Sequence, residues 1–146
     1  MGAKAVAIDL DNTTVGDASF RLKEPIRRWI QYVRTAGFPV IIVSNTVTPR
    51  AWFLSKQMGN IPFIANARKP RTKALCRAAK MLHIHPSEMA MIGDQLFTDV
   101  LVANRIGAIS VKVEPMGRDR FTPRKYEMIR KRERDYIRKC RVPHGA

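Results

Sequence analysis

Short apolar runs alternate along the chain with longer stretches in which apolar residues return every three or four positions. Ala5-Val6-Ala7-Ile8, Val40-Ile41-Ile42-Val43, Pro62-Phe63-Ile64-Ala65 and Met89-Ala90-Met91-Ile92 read as four strands, with a fifth from Ala108 to Val113. Residues 22–36 carry Leu22, Ile26, Trp29, Ile30 and Val33 at a helical period that ends before Gly37. Thr48-Pro49 has the form of an N-cap followed by proline in the first turn, opening a helix to about Met58 with Gly59 as its stop. Helices are also predicted over 71–83 and over 97–106, the second closed by Gly107. Thr122-Pro123 repeats the cap signature and opens a last helix to about Cys140.

This alternation predicts an α/β chain: a single-domain, three-layer Rossmann-like fold with a five-stranded parallel sheet covered on both faces. Its length of 146 residues suits one domain and is short for two. Ligands of such sheets bind beyond the carboxyl ends of the strands, so polar residues just after each strand are the first candidates for chemistry.

Four polar signals fall there. Asp9-Leu10-Asp11-Asn12-Thr13 follows the first strand, and carboxylates two residues apart on extended backbone enter one crevice. Such a pair repels unless a cation or a proton holds it. Ser44-Asn45 follows the second strand and offers a hydroxyl and backbone N–H groups to an anion. Lys69-Pro70 follows the third, a compact positive charge suited to a phosphate oxygen. Gly93-Asp94 follows the fourth, with Asp99 five residues on. Taken singly, each is an ordinary turn, cap or solvated side chain. A calcium loop starting at Asp9 is excluded, because Thr14 stands where glycine is required and Phe20 where the bidentate glutamate belongs. In order, each closing a successive strand, the four signals make one site.

Charge adds a second theme. Twenty-seven Lys and Arg against twelve Asp and Glu give +15, and residues 118–141 alone hold eleven basic and four acidic side chains. A surface this basic attracts polyanions, whether nucleic acid, ribosome or an anionic membrane face, and charge does not choose among them. No recognised RNA-binding motif or run of stacking aromatics favours the first two. No apolar run reaches the roughly 20 residues of a spanning helix, and the N-terminus does not read as a signal peptide. Cys76 and Cys140 lie far apart without metal-ligand spacing, which reads as reduced thiols in a cytoplasm-like compartment.

The strand-end motifs resemble motifs I to IV of the haloacid-dehalogenase (HAD) superfamily. More narrowly, Ser44-Asn45, Arg50, Ala67-Arg68-Lys69-Pro70, Gly93-Asp94-Gln95-Leu96-Phe97-Thr98-Asp99 and Asn104-Arg105-Ile106-Gly107 resemble the YqeG-type phosphatases of HAD subfamily IIIA. The similarity covers about residues 4 to 115, and departs from the pattern at Thr46 and Ala103, where a second Asn and a Gly are common. The resemblance implies an aspartyl-phosphate mechanism. Asp9 would be the nucleophile and a Mg²⁺ ligand. Asp11 would exchange the proton with leaving group and water and lend its backbone carbonyl to the metal. Ser44 would bind the phosphoryl group, with help from neighbouring backbone N–H groups. Lys69 would neutralise phosphoryl charge and orient Asp9. Asp94 would hold Mg²⁺ directly, and Asp99 through water or by fixing Lys69. The oxygen-rich donor set suits Mg²⁺, and no Cys/His cluster suits zinc.

Thirty residues separate Thr13 from Ser44 and twenty-four separate Ser44 from Lys69, room for one helix and one strand in each case. Neither gap holds a cap domain, so an HAD core over 1–117 is expected to have an open site, followed by a basic helix and tail over 118–146 packed on the core or extending from it. The last helix carries a narrow apolar stripe, Tyr126, Ile129, Tyr136, Ile137 and Cys140, interrupted by Glu133. It either packs on the sheet or lies against anionic headgroups. The resembled family includes enzymes similar to those that dephosphorylate phosphatidylglycerophosphate, which implies a peripheral protein on the inner membrane face, with Arg50 and Arg105 as headgroup contacts. Another phosphate ester in solution is the alternative substrate.

Overall fold

The computed structural model describes residues 2–117 and 123–140. Five strands, β1 (Ala5–Ile8), β2 (Val40–Val43), β3 (Phe63–Ile64), β4 (Met89–Gly93) and β5 (Ile109–Lys112), form one parallel sheet in the order β3-β2-β1-β4-β5. The helices between them are α1 (Glu24–Thr35), α2 (Thr48–Gln57), α3 (Lys73–Met81) and α4 (Leu101–Arg105), and α5 (Pro123–Cys140) follows the last strand. This is the three-layer Rossmann-like architecture that the alternating pattern predicts.

Strand periodicity sorts the core. Val6 and Ile8 of β1 and Val40 and Ile42 of β2 face Ile30 of α1 and Ala51 and Leu54 of α2. Ala7, Ile41 and Val43, with Met89 and Met91 of β4, pack on the other face against Leu75 and Ala78 of α3 and Val102 of α4. Because both faces are covered at the centre of the sheet, β1 and β2 are buried without alternation and read as continuously apolar, whereas the edge strand β5 stays partly exposed.

Local boundaries depart from the sequence reading where tertiary bonds intervene. Helix α2 starts on Thr48 itself, so Val47 rather than Thr48 holds the capping position. β3 shrinks to two residues, since Asn66 beyond it turns with φ +49° and donates its N–H to Thr46. The predicted helix over 97–106 begins as a π turn, Leu96–Val100, before α4. That wide turn carries Asp99 into the interior instead of leaving it on a helix surface.

The register aligns the strand ends. Ile8 pairs with Ile42 on one side and Ile92 on the other, so the segments after β1, β2 and β4 leave the sheet at one level. Sheet order reverses around β1, and the crevice there is where this architecture places a ligand.

Candidate active site

Asp9 extends directly from β1, with its N–H bonded to the Ile92 carbonyl, and its side chain is buried. Asp94 follows β4 and Asp99 sits in the π turn; both are buried. The three carboxylates have oxygen atoms within 4.8 Å of one another. Lys69 enters this group from the loop after β3. Its ammonium donates to Asp9 Oδ1 at 3.0 Å, to Asp99 Oδ1 at 2.6 Å and to the Val43 carbonyl at 2.8 Å, which uses all three of its protons.

The Lys69 loop is aimed by its neighbours. Arg68 adopts φ +54°, a left-handed conformation that places Lys69 inward, and the Lys69–Pro70 peptide is cis. Asn45 clamps the same residue: Oδ1 accepts the Lys69 N–H at 2.8 Å and Nδ2 donates to the Lys69 carbonyl at 3.3 Å. The Asn45 side chain, a phosphate-binding candidate, is thus committed to positioning Lys69. Ser44 is buried beside it and accepts from the Thr46 N–H at 3.2 Å. Gly93 has a plain steric reason: a Cβ there would overlap the Asp99 side chain.

Asp11 lies apart from the carboxylate cluster. Its oxygens are held by the Arg50 guanidinium at 2.8 Å on each side, and Oδ1 also accepts from the Ala18 N–H. Arg50 is itself buried, with further bonds to Thr46 Oγ1 and the Ser19 carbonyl. Its position is that of a holder of Asp11, whereas Arg105 remains exposed and donates to the Pro70 carbonyl at 3.0 Å. Asp9, Asp11, Ser44, Asn45 and Lys69 line one pocket of about 350 Å³, with Thr46, Gln95, Thr98, Tyr126 and Ile129.

Tyr126 and Ile129 belong to α5, so this helix walls a site expected to be open. Two further α5 residues went unnoticed as site components. Arg130 pairs with the Asp94 carboxylate and donates to the Asp94 carbonyl at 3.2 Å, and Glu133, 3% exposed, accepts the Leu96 N–H at 2.6 Å. Thr13 also went unnoticed; its hydroxyl donates to Asp94 Oδ1 at 3.2 Å. The one available signal was Glu133 interrupting an apolar stripe: a carboxylate there needs a buried partner. Glu133→Ala leaves the Leu96 N–H without its acceptor and Arg130 without one of its two carboxylates. The expected cost is about 1–3 kcal/mol, read by thermal unfolding, with faster proteolysis inside α5.

Burial pushes the Asp9 carboxyl up to about 6, with Asp99 adding to the rise and Lys69 opposing it. Lys69 is desolvated too, but Asp9 and Asp99 outweigh that and raise it. Asp94 is also raised, by burial, against the pull of Arg130. Three buried carboxylates meet two cations, Lys69 and Arg130, so the cluster keeps net negative charge; its hard oxygen donors fit a divalent cation such as Mg²⁺, which Asp9 and Asp94 would hold with Asp94 giving up its Arg130 contact. Asp99 has one oxygen on Lys69 and the other on the Gln95 N–H, which suits it to anchoring Lys69.

A cation needs Asp9 ionised, so proton and metal compete. Since the folded-state value lies above the ordinary 3.8, the stabilising contribution of Asp9 in metal-free protein is complete below about 3.8 and is lost as pH rises through about 6. Mg²⁺ is therefore expected to raise the melting temperature more at pH 7.5 than at pH 5, in scans with EDTA as the reference. A larger rise at pH 5 would contradict the assignment.

The sheet order, the strand-end carboxylates and the buried lysine make one acidic, lysine-anchored site at the carboxyl edge of a parallel α/β sheet. A family model for haloacid dehalogenase-like hydrolases matches residues 4–107, and the chain belongs to that family. It is 40% identical over 117 residues to the probable phosphatase YqeG of Bacillus subtilis, spanning 77% of this chain and 65% of that protein. It is 29% identical over 126 residues to phosphatidylglycerophosphate phosphatase 1, chloroplastic/mitochondrial, of Arabidopsis thaliana, spanning 80% of this chain and 36% of that protein. The chain thus spans under two thirds of the length of either relative. A crystal structure of a HAD-superfamily hydrolase from Ehrlichia chaffeensis shares the fold at a TM-score of 0.63 and 14% identity, covering 76% of this chain and 87% of the other.

Proposed function

We propose that the chain is a Mg²⁺-dependent phosphomonoester phosphatase that forms an aspartyl-phosphate on Asp9 and acts on phosphatidylglycerophosphate at an anionic membrane surface. The observation that carries the catalytic part is the buried Lys69 ammonium bonded to Asp9 and Asp99, with Asp94 in the same cluster. A phosphomonoester dianion is repelled by a carboxylate nucleophile until positive charge cancels it. Lys69 supplies part of that charge, and Mg²⁺ bound by Asp9 and Asp94 would supply more by neutralising phosphoryl oxygens.

Asp9 attacks phosphorus as the bond to the leaving oxygen breaks, and Asp11 gives that oxygen its proton. Water then attacks the aspartyl-phosphate, Asp11 takes the proton, and phosphate leaves. Asp11 lines the same pocket two residues from the nucleophile, and to carry that proton it would have to part from the Arg50 fork, which bonds its carboxylate through both oxygens. Ser44, which lines the pocket, would bond the phosphoryl group, and Asn45 and Asp99 keep Lys69 in register.

The substrate assignment draws on the Arabidopsis relative, on the +15 charge, and on a pocket whose α5 wall presents Tyr126 and Ile129. Arg105, exposed beside the Lys69 loop, is the headgroup candidate. No helix among the described residues is long and apolar enough to cross a membrane, so a lipid substrate would be met at the bilayer surface. The deciding experiment compares phosphate release from phosphatidylglycerophosphate in mixed micelles with a panel of soluble phosphate esters. The lipid should be preferred; a soluble ester preferred by orders of magnitude would remove the lipid assignment and leave the phosphatase.

A further inference from the structure

Three large rings stand exposed on one shoulder of the molecule: Phe20 at 56%, Trp52 at 53% and Phe53 at 45%. Phe20 meets Phe53 edge to face at 5.7 Å, and the Gln57 side chain ties the Phe20 carbonyl to α2 at 2.7 Å. Val47, exposed just before α2, extends the apolar surface toward Thr46 at the pocket. The patch touches the site through one residue, because Arg50 lies 5.7 Å from the Phe20 ring centre and holds Asp11 with the same guanidinium.

We propose that Phe20, Trp52 and Phe53 are the part of the surface that enters an anionic bilayer, a reading that rests on the membrane substrate proposed above. Charge selects this occupant. Residues 20–28 and 47–57 expose Arg21, Lys23, Arg27, Arg28 and Lys56 against the single carboxylate Glu24, which is paired with Arg27 and Arg28, while Arg50 is buried on Asp11. Exposed Lys56 stands over the Trp52 ring at 5.1 Å. Tryptophan and phenylalanine flanked by lysine and arginine match the boundary between headgroups and acyl chains, with rings in the apolar layer and cations among phosphates.

The last helix is less suited to insertion. Its Ile129, Arg130 and Glu133 face the core, and Tyr136 packs on Phe97 at 5.9 Å. Of its apolar side chains, Met128 is the most exposed. Its outward basic residues can attract a membrane, while the α2 shoulder supplies apolar anchorage beside the catalytic pocket.

The test uses the full chain and vesicles of phosphatidylcholine with or without phosphatidylglycerol. Trp29 and Trp52 are the only tryptophans, so Trp29→Phe leaves Trp52 as the reporter. Anionic vesicles should bind the protein, shift Trp52 emission to the blue and allow quenching by brominated acyl chains. Phe20→Ser/Trp52→Ser/Phe53→Ser should lower the partition coefficient at least about tenfold, and Trp52→Ser/Phe53→Ser, which keeps the Phe20–Arg50 contact, should lower it less while leaving turnover of a soluble chromogenic phosphate ester unchanged. Trp52→Ser alone should give a smaller loss in the same direction, which guards against a folding effect in the triple variant. Undiminished vesicle binding by the triple variant, or equal binding to neutral vesicles, overturns the proposal. So does a blue shift on concentrating the protein without lipid, which would assign the patch to a second copy. Soluble-ester turnover reads the catalytic proposal separately: its absence in the wild type sinks that proposal whatever the vesicles show.

Discussion

Asp9→Asn should abolish the proposed Mg²⁺-dependent phosphate release while the protein stays folded. The expected loss is at least about 10⁴-fold, because an amide cannot form the acyl-phosphate bond that splits the reaction into two steps. The fold tolerates the change because Lys69 keeps Asp99 and the Val43 carbonyl as partners. Burial already holds the Asp9 carboxyl near 6, against 3.8 in a solvated chain, so the neutral asparagine resembles the form that the metal-free interior favours near that pH. In EDTA at neutral pH the variant should therefore melt no lower than the wild type. In Mg²⁺ it should lose most of the metal-dependent rise, since one of the two best-placed anionic donors becomes a neutral amide. A phosphate-release assay and paired thermal scans check both halves. Full activity in the variant would remove Asp9 as nucleophile, whereas lost activity with a lowered melting point in EDTA would make its part structural.

The strands and the strand-end carboxylates were legible because both follow from one-dimensional rules. Apolar runs such as Val40-Ile41-Ile42-Val43 mark strands covered on both faces, and in a parallel sheet every strand points its carboxyl end to the same edge. Asp9, Ser44, Lys69 and Asp94 are thus brought to one edge by the sequence pattern alone. What lay outside such rules was the destination of side chains whose partners are distant in sequence. Arg50 could be a headgroup contact or an ion pair. That it is buried and closes on Asp11 depends on the 16–20 loop folding over the start of α2, which no periodicity encodes. The same holds for α5. Its stripe predicts a helix with an inward face, but its return across the end of β4, with Arg130 on Asp94, is set by packing. Glu133 shows how a local anomaly carries tertiary information: an acid in an apolar stripe is tolerable once it accepts the Leu96 N–H and pairs with Arg130.

Lys69→Met should be the most damaging single change, in both stability and catalysis. Lys69 is 6% exposed, and its ammonium spends its protons on two carboxylates and a carbonyl. A methionine of similar length leaves Asp9 and Asp99 facing each other in a poorly solvated interior without a cation. Breaking a buried pair from one side costs about 3–5 kcal/mol, more than the pair itself contributes, because the partner charge is stranded. Protonation of Asp9 relieves part of this, so in EDTA the penalty should be smaller at pH 5 than at pH 7.5. Mg²⁺ should restore part of the stability, since a divalent ion at Asp9 and Asp94 returns positive charge to the cluster. It should not restore turnover: the lost ammonium is the group proposed to orient Asp9 and to offset phosphoryl charge, and a fall of about 10³-fold or more is expected to persist. Urea unfolding with and without Mg²⁺, set beside phosphate release from one chromogenic ester, separates the two. Recovery of both together would mean that Lys69 serves only to balance charge.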